Sequence, residues 1–340
     1  MPLTRLLLAP AAALALLGTA PASAPLYQAP QAQADRVRAD VEFLADDLLE
    51  GRQAGKRGHE IAALYVASQF RGLGLQPAGE GGGWYQRVPL RRATHEAPPQ
   101  LTLTLGGKAE TLKPGADMGI RPSVTERERK LDAELVFVGY GIQDARLGMA
   151  DYAGLDLRGK IAVALSGTPK ELSSEIAAHL GQQKDDMAAA AGAVGLIELP
   201  SGTSNPLGSI GSSGRSSTTD WVDAAGQTGN TAKGLRLRGG VSQALAARLF
   251  QGAPASLADI RKQAEAGQRP KGFPLAARLS VQARSQWEDY TSPAVLGVIP
   301  GSDPALRAEH VILMGHLDHL GIKADAKPGE DAIHNGALDN

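Results

Sequence analysis

The sequence runs to 340 residues, 43% hydrophobic and 21% charged, which excludes a disordered tail or a small stapled module and leaves room for two domains. Its 35 basic and 36 acidic side chains leave a net charge of -1, so no uniform field steers it toward nucleic acid or an anionic membrane. Cysteine is absent, which removes thiol nucleophiles, iron–sulfur clusters and thiolate zinc sites, so any metal must rest on His, Asp or Glu.

Residues 1–24 read as an export signal: Arg5 precedes the apolar run Leu6 to Leu17, and Ala22-Ser23-Ala24 has the small-x-small form of a cleavage site. A membrane anchor or a buried first helix is the other reading, but the run is shorter than the ~20 residues that span a bilayer. No later stretch is long and apolar enough to anchor the chain. The expected location is the periplasm or the exterior, with no membrane attachment and no nucleic-acid partner.

A Pro, Ala and Gln linker, Pro25 to Gln33, leads to a helix with Val37, Val41, Leu44 and Leu48 on one face and Asp35 as its cap. Glu50 to Gly55 is too glycine-rich for regular structure. A second amphipathic helix opens at Gly58, runs through Ile61, Leu64, Tyr65 and Phe70, and stops at Gly72 and Gly74. Trp84 to Leu90 reads as a strand.

From Arg91 to Ala283 the texture is mostly β, clearest at Leu101 to Leu105, Leu135 to Val138 and Lys160 to Leu165. Lys160 to Leu165, a helix over Lys184 to Ala191, and Val194 to Leu199 form a strand–helix–strand unit that predicts parallel pairing. Ser201 to Asp220, rich in Ser, Gly and Thr, reads as a surface loop. Further on, Ala294 to Ile299 is extended, and a Pro300 to Asp303 turn precedes His310 to Met314, a nearly continuous apolar run of the kind buried on both faces of a sheet.

That run ends in Gly315-His316-Leu317-Asp318-His319-Leu320-Gly321, which puts a His and an Asp where a buried strand would surface, the usual place for a site in an open α/β sheet. Four of the seven histidines, His310, His316, His319 and His334, lie in this final stretch with Asp318, Asp325, Asp331 and Asp339. Such donors suit zinc or another borderline divalent metal, although any one of them alone is better explained by packing. Residues two apart on a strand share a side, so the Asp318 carboxylate is placed to fix the His316 tautomer. Asp339 follows a Gly336-Ala337-Leu338 turn, where its two oxygens suit two cations.

Rival motifs fail. His59-Glu60-Ile61-Ala62-Ala63 opens like a helical zinc site but has Ala63 where the second ligand belongs, and reads as an exposed helix start. Neither a nucleophile elbow nor a phosphate loop is present. The metallo-β-lactamase-like hydrolase motif is matched only in part, because Met314 occupies its first His position.

Gly315 to Gly321, followed by Asn335-Gly336-Ala337-Leu338-Asp339-Asn340, resembles the paired signature of the di-zinc exopeptidases that include bacterial leucyl aminopeptidase and glutamate carboxypeptidase II. Phe43 to Arg52 and Gly72 to Pro77 resemble the N-terminal segment of exported bacterial members. Val136 to Gly141, Asp151-Tyr152 and Leu157 to Lys160 resemble the protease-associated domain inserted in many of them. The resemblance implies an α/β fold: a mixed-sheet zinc exopeptidase domain of the phosphorylase/hydrolase-like kind, interrupted by a mostly β protease-associated domain. Residues 25–90 and 284–340 would form the peptidase part, and 91–283 the insertion.

It further implies that His316 ligates one of two Zn2+ ions, that Asp318 orients His316, that Asp339 bridges the metals, and that the Asp339–Asn340 peptide is cis. The implied activity is metal-assisted hydrolysis at the N-terminal peptide bond of peptides with a free N-terminus. Members supply their Glu general base, further acidic ligands and a last His after the bridging Asp, whereas the sequence stops at Asn340. The expectation is therefore a C-terminally truncated, inactive peptidase, with weak or no zinc binding and no general base to assign. The alternative is a non-catalytic binding protein on the same fold, as in the transferrin-receptor branch. A different di-zinc hydrolase is a minor alternative.

Overall fold

A computed structural model describes residues 31–201, 205–207, 217–229, 231–323 and 326–339. The expected export signal, Asp325, Asn340 with its peptide bond, and most of the Ser201 to Asp220 segment lie outside the described residues.

The elements, in chain order, are α1 (Gln31–Leu44), a 3-10 turn (Asp47–Arg52), α2 (Arg57–Gly72), β1 (Gln76–Pro77), β2 (Tyr85–His95), β3 (Gln100–Leu105) and β4 (Lys108–Thr111). Next come β5 (Met118–Ile120), β6 (Glu128–Phe137), β7 (Gln143–Asp144), β8 (Met149–Ala150), β9 (Ile161–Leu165), α3 (Ser174–Gln182), α4 (Lys184–Ala190), β10 (Gly195–Leu199) and β11 (Ser217–Trp221). The chain continues with β12 (Leu237–Val241), α5 (Gln243–Leu249), α6 (Leu257–Glu265), β13 (Phe273–Val295), β14 (Gly297–Val298), β15 (Gly321–Ile322) and β16 (Ile333–His334).

Among the described residues two compact units emerge, one within residues 63–311 and the other of residues 31–62 together with those of 312–339. The larger unit is built on a mixed sheet of ten strands in the order β11-β2-β13-β6-β9-β10-β12-β5, with β3 and β4 added beside β13. Pairing is parallel for β6–β9, β9–β10 and β10–β12, as the strand–helix–strand pattern requires, and antiparallel elsewhere. The chain is thus mixed α/β with a mixed sheet. The boundaries drawn at residues 90 and 283 both fall inside strands, β2 and β13.

Strand β13 shows how the sequence writes a half-buried strand. Leu275, Ala277, Leu279, Val281 and Ala283 point inward and are buried, while the residues between them face outward, which is the two-residue period of a pleated strand. Its buried face joins Leu101, Leu135, Phe137, Ile161 and Leu165 in one core, where Phe137, Phe250 and Phe273 meet with centroids 5.2 to 6.1 Å apart. After β6 the chain turns through Gly139 and Gly141, both at positive φ. The half-buried Asp151 carboxylate anchors that turn by accepting from Tyr140 N and Ile142 N, each at 3.0 Å.

Five expectations are corrected. Asp35 lies inside α1 rather than at its cap, and Leu48 falls beyond the helix and is exposed. Within Glu50 to Gly55, the segment to Arg52 is a 3-10 turn in which Glu50, Gly51 and Arg52 all take positive φ. Ser217 to Asp220 is strand, paired antiparallel with Arg91 to Thr94 of β2. His59 is 5% exposed, so it is no exposed helix start. Lastly, His310 to Met314 pairs with no strand among the described residues, and Val311, Leu313 and Met314 are more than 90% exposed. Burial of an apolar strand on both faces needs flanking strands and covering helices, and none of the described residues provides them here.

Candidate metal centre

The site residues lie in the smaller unit, where ordering comes from polar contacts more than from a core. Asp46 caps the 3-10 turn, its Oδ1 accepting from Leu48 N at 2.8 Å. The turn then bends through Gly51, where an added Cβ would stand 2.6 Å from Gly321 O and 2.7 Å from His334 O. Only glycine permits that approach. Arg52, fully buried, follows at once.

Arg52 organises what surrounds it. Its Nε donates to Leu317 O at 3.1 Å, and Nη1 donates to Asn335 O at 2.7 Å and to Leu44 O. Nη2 reaches Gly336 O at 3.4 Å, and the Arg52 carbonyl accepts from His319 N at 3.1 Å. One guanidinium thereby ties together the segments that carry His316 and Asp339. Asn335 adds a second tie, its Nδ2 donating to Ala45 O and to Asp47 Oδ1, both at 2.7 Å. Gly336, at positive φ, lets this crossing close, since a Cβ there would stand 2.7 Å from Arg52 Nη2 and 2.8 Å from the His319 ring.

On this frame His316 and Asp339 come together. The Nδ1 atom of His316 is 2.8 Å from the backbone oxygen of Asp318, and its Nε2 is 3.2 Å from Asp339 Oδ1. The Asp318 carboxylate stands 3.8 Å from Nδ1, beyond hydrogen-bond reach, so the backbone carbonyl of Asp318 rather than its side chain holds the ring. Both the carbonyl and Asp339 raise the His316 pKa, the carbonyl foremost. The Asp318 carboxylate also exerts its field on Arg52 and His59, opposing the lowering of both pKa values by burial.

A carbonyl only accepts, so Nδ1 carries the proton and the Nε2 lone pair of neutral His316 confronts an acceptor oxygen. Two acceptors at 3.2 Å require a positive charge between them, either a proton on Nε2 or a metal ion. Ligands ~2.0 to 2.1 Å from a tetrahedral zinc stand roughly 3.3 Å apart, so the pair already has the spacing of one edge of such a site. His319 and His334 meet as rings 6.4 Å apart. Among the described residues no group of three or more His, Asp or Glu could hold a metal. The fit to zinc is therefore that of two donors, His316 and Asp339.

Arg52 is given no role of its own by the sequence, and His59 reads there only as an exposed helix start. The Glu50-Gly51-Arg52 stretch did carry a signal, because a glycine-rich turn ending in a long cation suits a buried bend that must satisfy stranded carbonyls.

No protein-family model matches the chain, and no curated protein does either. Among solved structures, an aminopeptidase from Aneurinibacillus sp. strain AM-1 is similar at 21% identity and a TM-score of 0.35, over 80% of this chain and 49% of its own. A zinc aminopeptidase from Bacillus subtilis is similar at 18% identity and a TM-score of 0.30, over 79% of this chain and 48% of its own. The chain thus spans about half the length of these two structures.

Proposed function

We propose that the chain carries part of the metal site of an exported zinc exopeptidase that acts on peptides with a free N-terminus. His316 and Asp339 are the zinc ligands, and Asp318 is the residue that orients His316. The observation that carries this reading is the facing pair itself: an imidazole nitrogen whose ring proton is committed elsewhere, set against a carboxylate at the spacing of a metal edge. Bound zinc would polarise a scissile carbonyl and lower the pKa of a coordinated water. The chain's own residues fix the tautomer, present the two donors and, through Arg52, hold both segments in place. Composition of residues 1–24 supports export, and the run of protease-associated-like motifs through Val136 to Lys160 supports an insertion that shapes access.

Two donors hold zinc weakly. Four-donor structural sites bind with roughly 10 to 16 kcal/mol, so half that gives a Kd on the order of 1 to 200 μM. Titration of the full chain with Zn2+, followed by the imidazole proton resonances of His316, should show saturable shifts that Asp339→Asn weakens, and calorimetric Zn2+ binding should be lost in His316→Ala. Zinc that leaves His316 unmoved, or that binds the Asp339→Asn chain equally well, would overturn the assignment. Cleavage of aminoacyl-nitroanilides by a form that contains further donors should be chelator-sensitive, and chelator-resistant cleavage would remove the metallopeptidase reading.

A further inference from the structure

The larger unit contains a cavity of about 190 Å³ lined by four arginines: Arg121 after β5, Arg129 in β6, Arg236 just before β12 and Arg238 within it. Thr218 of β11 completes the wall. The guanidinium of Arg129, 3% exposed, fastens two of the contributing segments by donating to Arg236 O and to Arg121 O, both at 2.8 Å. Arg121 N in turn donates to Arg238 O at 2.9 Å. The lining is thus held rigidly before any ligand arrives.

Two of the cations are already matched by acids. Arg236 forms a two-pronged pair with Glu126 at 2.7 and 2.8 Å. Arg238 lies 2.6 Å from Asp185 and 3.1 Å from Glu198, and Glu198 also takes the buried Lys184 ammonium at 3.0 Å. Arg121 and Arg129 make no ion pair with a carboxylate among the described residues. Asp220 is the one lining acid left to set against them, so the walls keep a surplus of positive charge. Burial pushes Arg129 down to about 10, and burial followed by the neighbouring Arg238 charge lowers Arg121.

Donors are left over as well. Arg129 Nε, Arg238 Nη1 and the Thr218 hydroxyl are buried without a hydrogen-bond partner, and all three belong to residues lining this cavity. The Nε of Arg238 is in the same state, since its approach to Asp185 is an ion-pair contact without hydrogen-bond alignment. A buried donor without an acceptor is costly and rare, and several around one polar hollow call for an acceptor inside it.

We infer that this hollow is a binding site for a small tetrahedral oxyanion of the phosphate or sulfate type. Guanidinium forks match such oxygens in pairs, and the threonine hydroxyl adds a neutral donor. The size suits a free ion rather than a large phosphorylated molecule, and the site stands independently of the metal centre.

Calorimetry of the full chain with inorganic phosphate, at ionic strength held constant with chloride, should show saturable binding below about 10 mM and a melting temperature that rises with phosphate. Arg121→Gln, which keeps the backbone contacts of Arg121 to Arg238 and Arg129, should weaken binding roughly tenfold or more and shrink the phosphate-induced rise in melting temperature in step. Arg129→Lys, which keeps the charge but loses the fork, should weaken it too. The site is overturned if phosphate binding does not saturate, if Arg121→Gln binds as well as the parent chain, or if acetate binds as tightly as phosphate. Each of those results would mean that the hollow holds only water or a generic anion atmosphere.

Discussion

The two units are held together by different physics. In the larger one, a mixed sheet pairs its own backbone, and side chains such as Phe137, Leu279 and Val281 vanish into a shared apolar core. The smaller one has few buried apolar side chains among the described residues and is tied by an arginine that gathers carbonyls from three stretches of chain, with Asn335 as a second tie. Apolar burial is non-directional and tolerates modest repacking, whereas a buried guanidinium in a ring of carbonyls works only in one arrangement. The part of the molecule that sets His316 Nε2 3.2 Å from Asp339 Oδ1 is the part built from directional contacts.

This contrast can be broken from either side. Phe137→Ala removes a fully buried ring from the aromatic cluster of the larger unit and should cost about 3 to 5 kcal/mol, read as a fall in the denaturant midpoint of that unit. Arg52→Leu should cost somewhat less, roughly 3 kcal/mol, because the lost hydrogen bonds and stranded carbonyls are partly offset by relief of a buried charge. Its signature is location: amide exchange should quicken over 316–322 and 333–336 and stay slow in β6, β9 and β13. Equal quickening in both places would mean that Arg52 supports the whole chain rather than the site frame.

Legibility in the sequence follows the same division. Strands β3, β6, β9 and β10 and helices α2 and α4 were readable because their signals are local: alternation or helical spacing bounded by Gly and Pro. The stretch His310 to Met314 has the strongest apolar signal near the site, yet it stands exposed, since pairing depends on strands far away in sequence that a run of Val, Ile and Leu cannot specify. His316 and Asp339 were readable as a pair of donor types, and the structure brings them to 3.2 Å. The agent that brings them there was not, because Arg52 lies 264 positions before His316 and its role is expressed only through the backbone carbonyls of other residues. Asp318 was read through its carboxylate, whereas its carbonyl makes the closest contact, and no side-chain pattern encodes which backbone oxygen turns toward a ring.

The smallest expected effect sharpens the comparison at its finest scale. With the Asp318 carbonyl on Nδ1 and Asp339 facing Nε2, the His316 pKa is raised above its ordinary 6.5. A raised folded value means that protonation favours the folded arrangement: the contribution is fully present below the unfolded pKa and is lost as pH rises through the folded one. His316 is solvent-exposed, so the stability change should be slight, and the titration itself is the proper readout. Its imidazole resonances should titrate above 6.5, and Asp339→Asn should bring the midpoint back toward 6.5 while the Asp318 carbonyl contact keeps some of the elevation. Protons and zinc compete for the same lone pair, so zinc affinity should climb with pH through that midpoint and flatten beyond it. An Nε2 that titrates normally in both chains would mean that the facing pair does not persist in solution, and with it would go the reason for placing a cation between them.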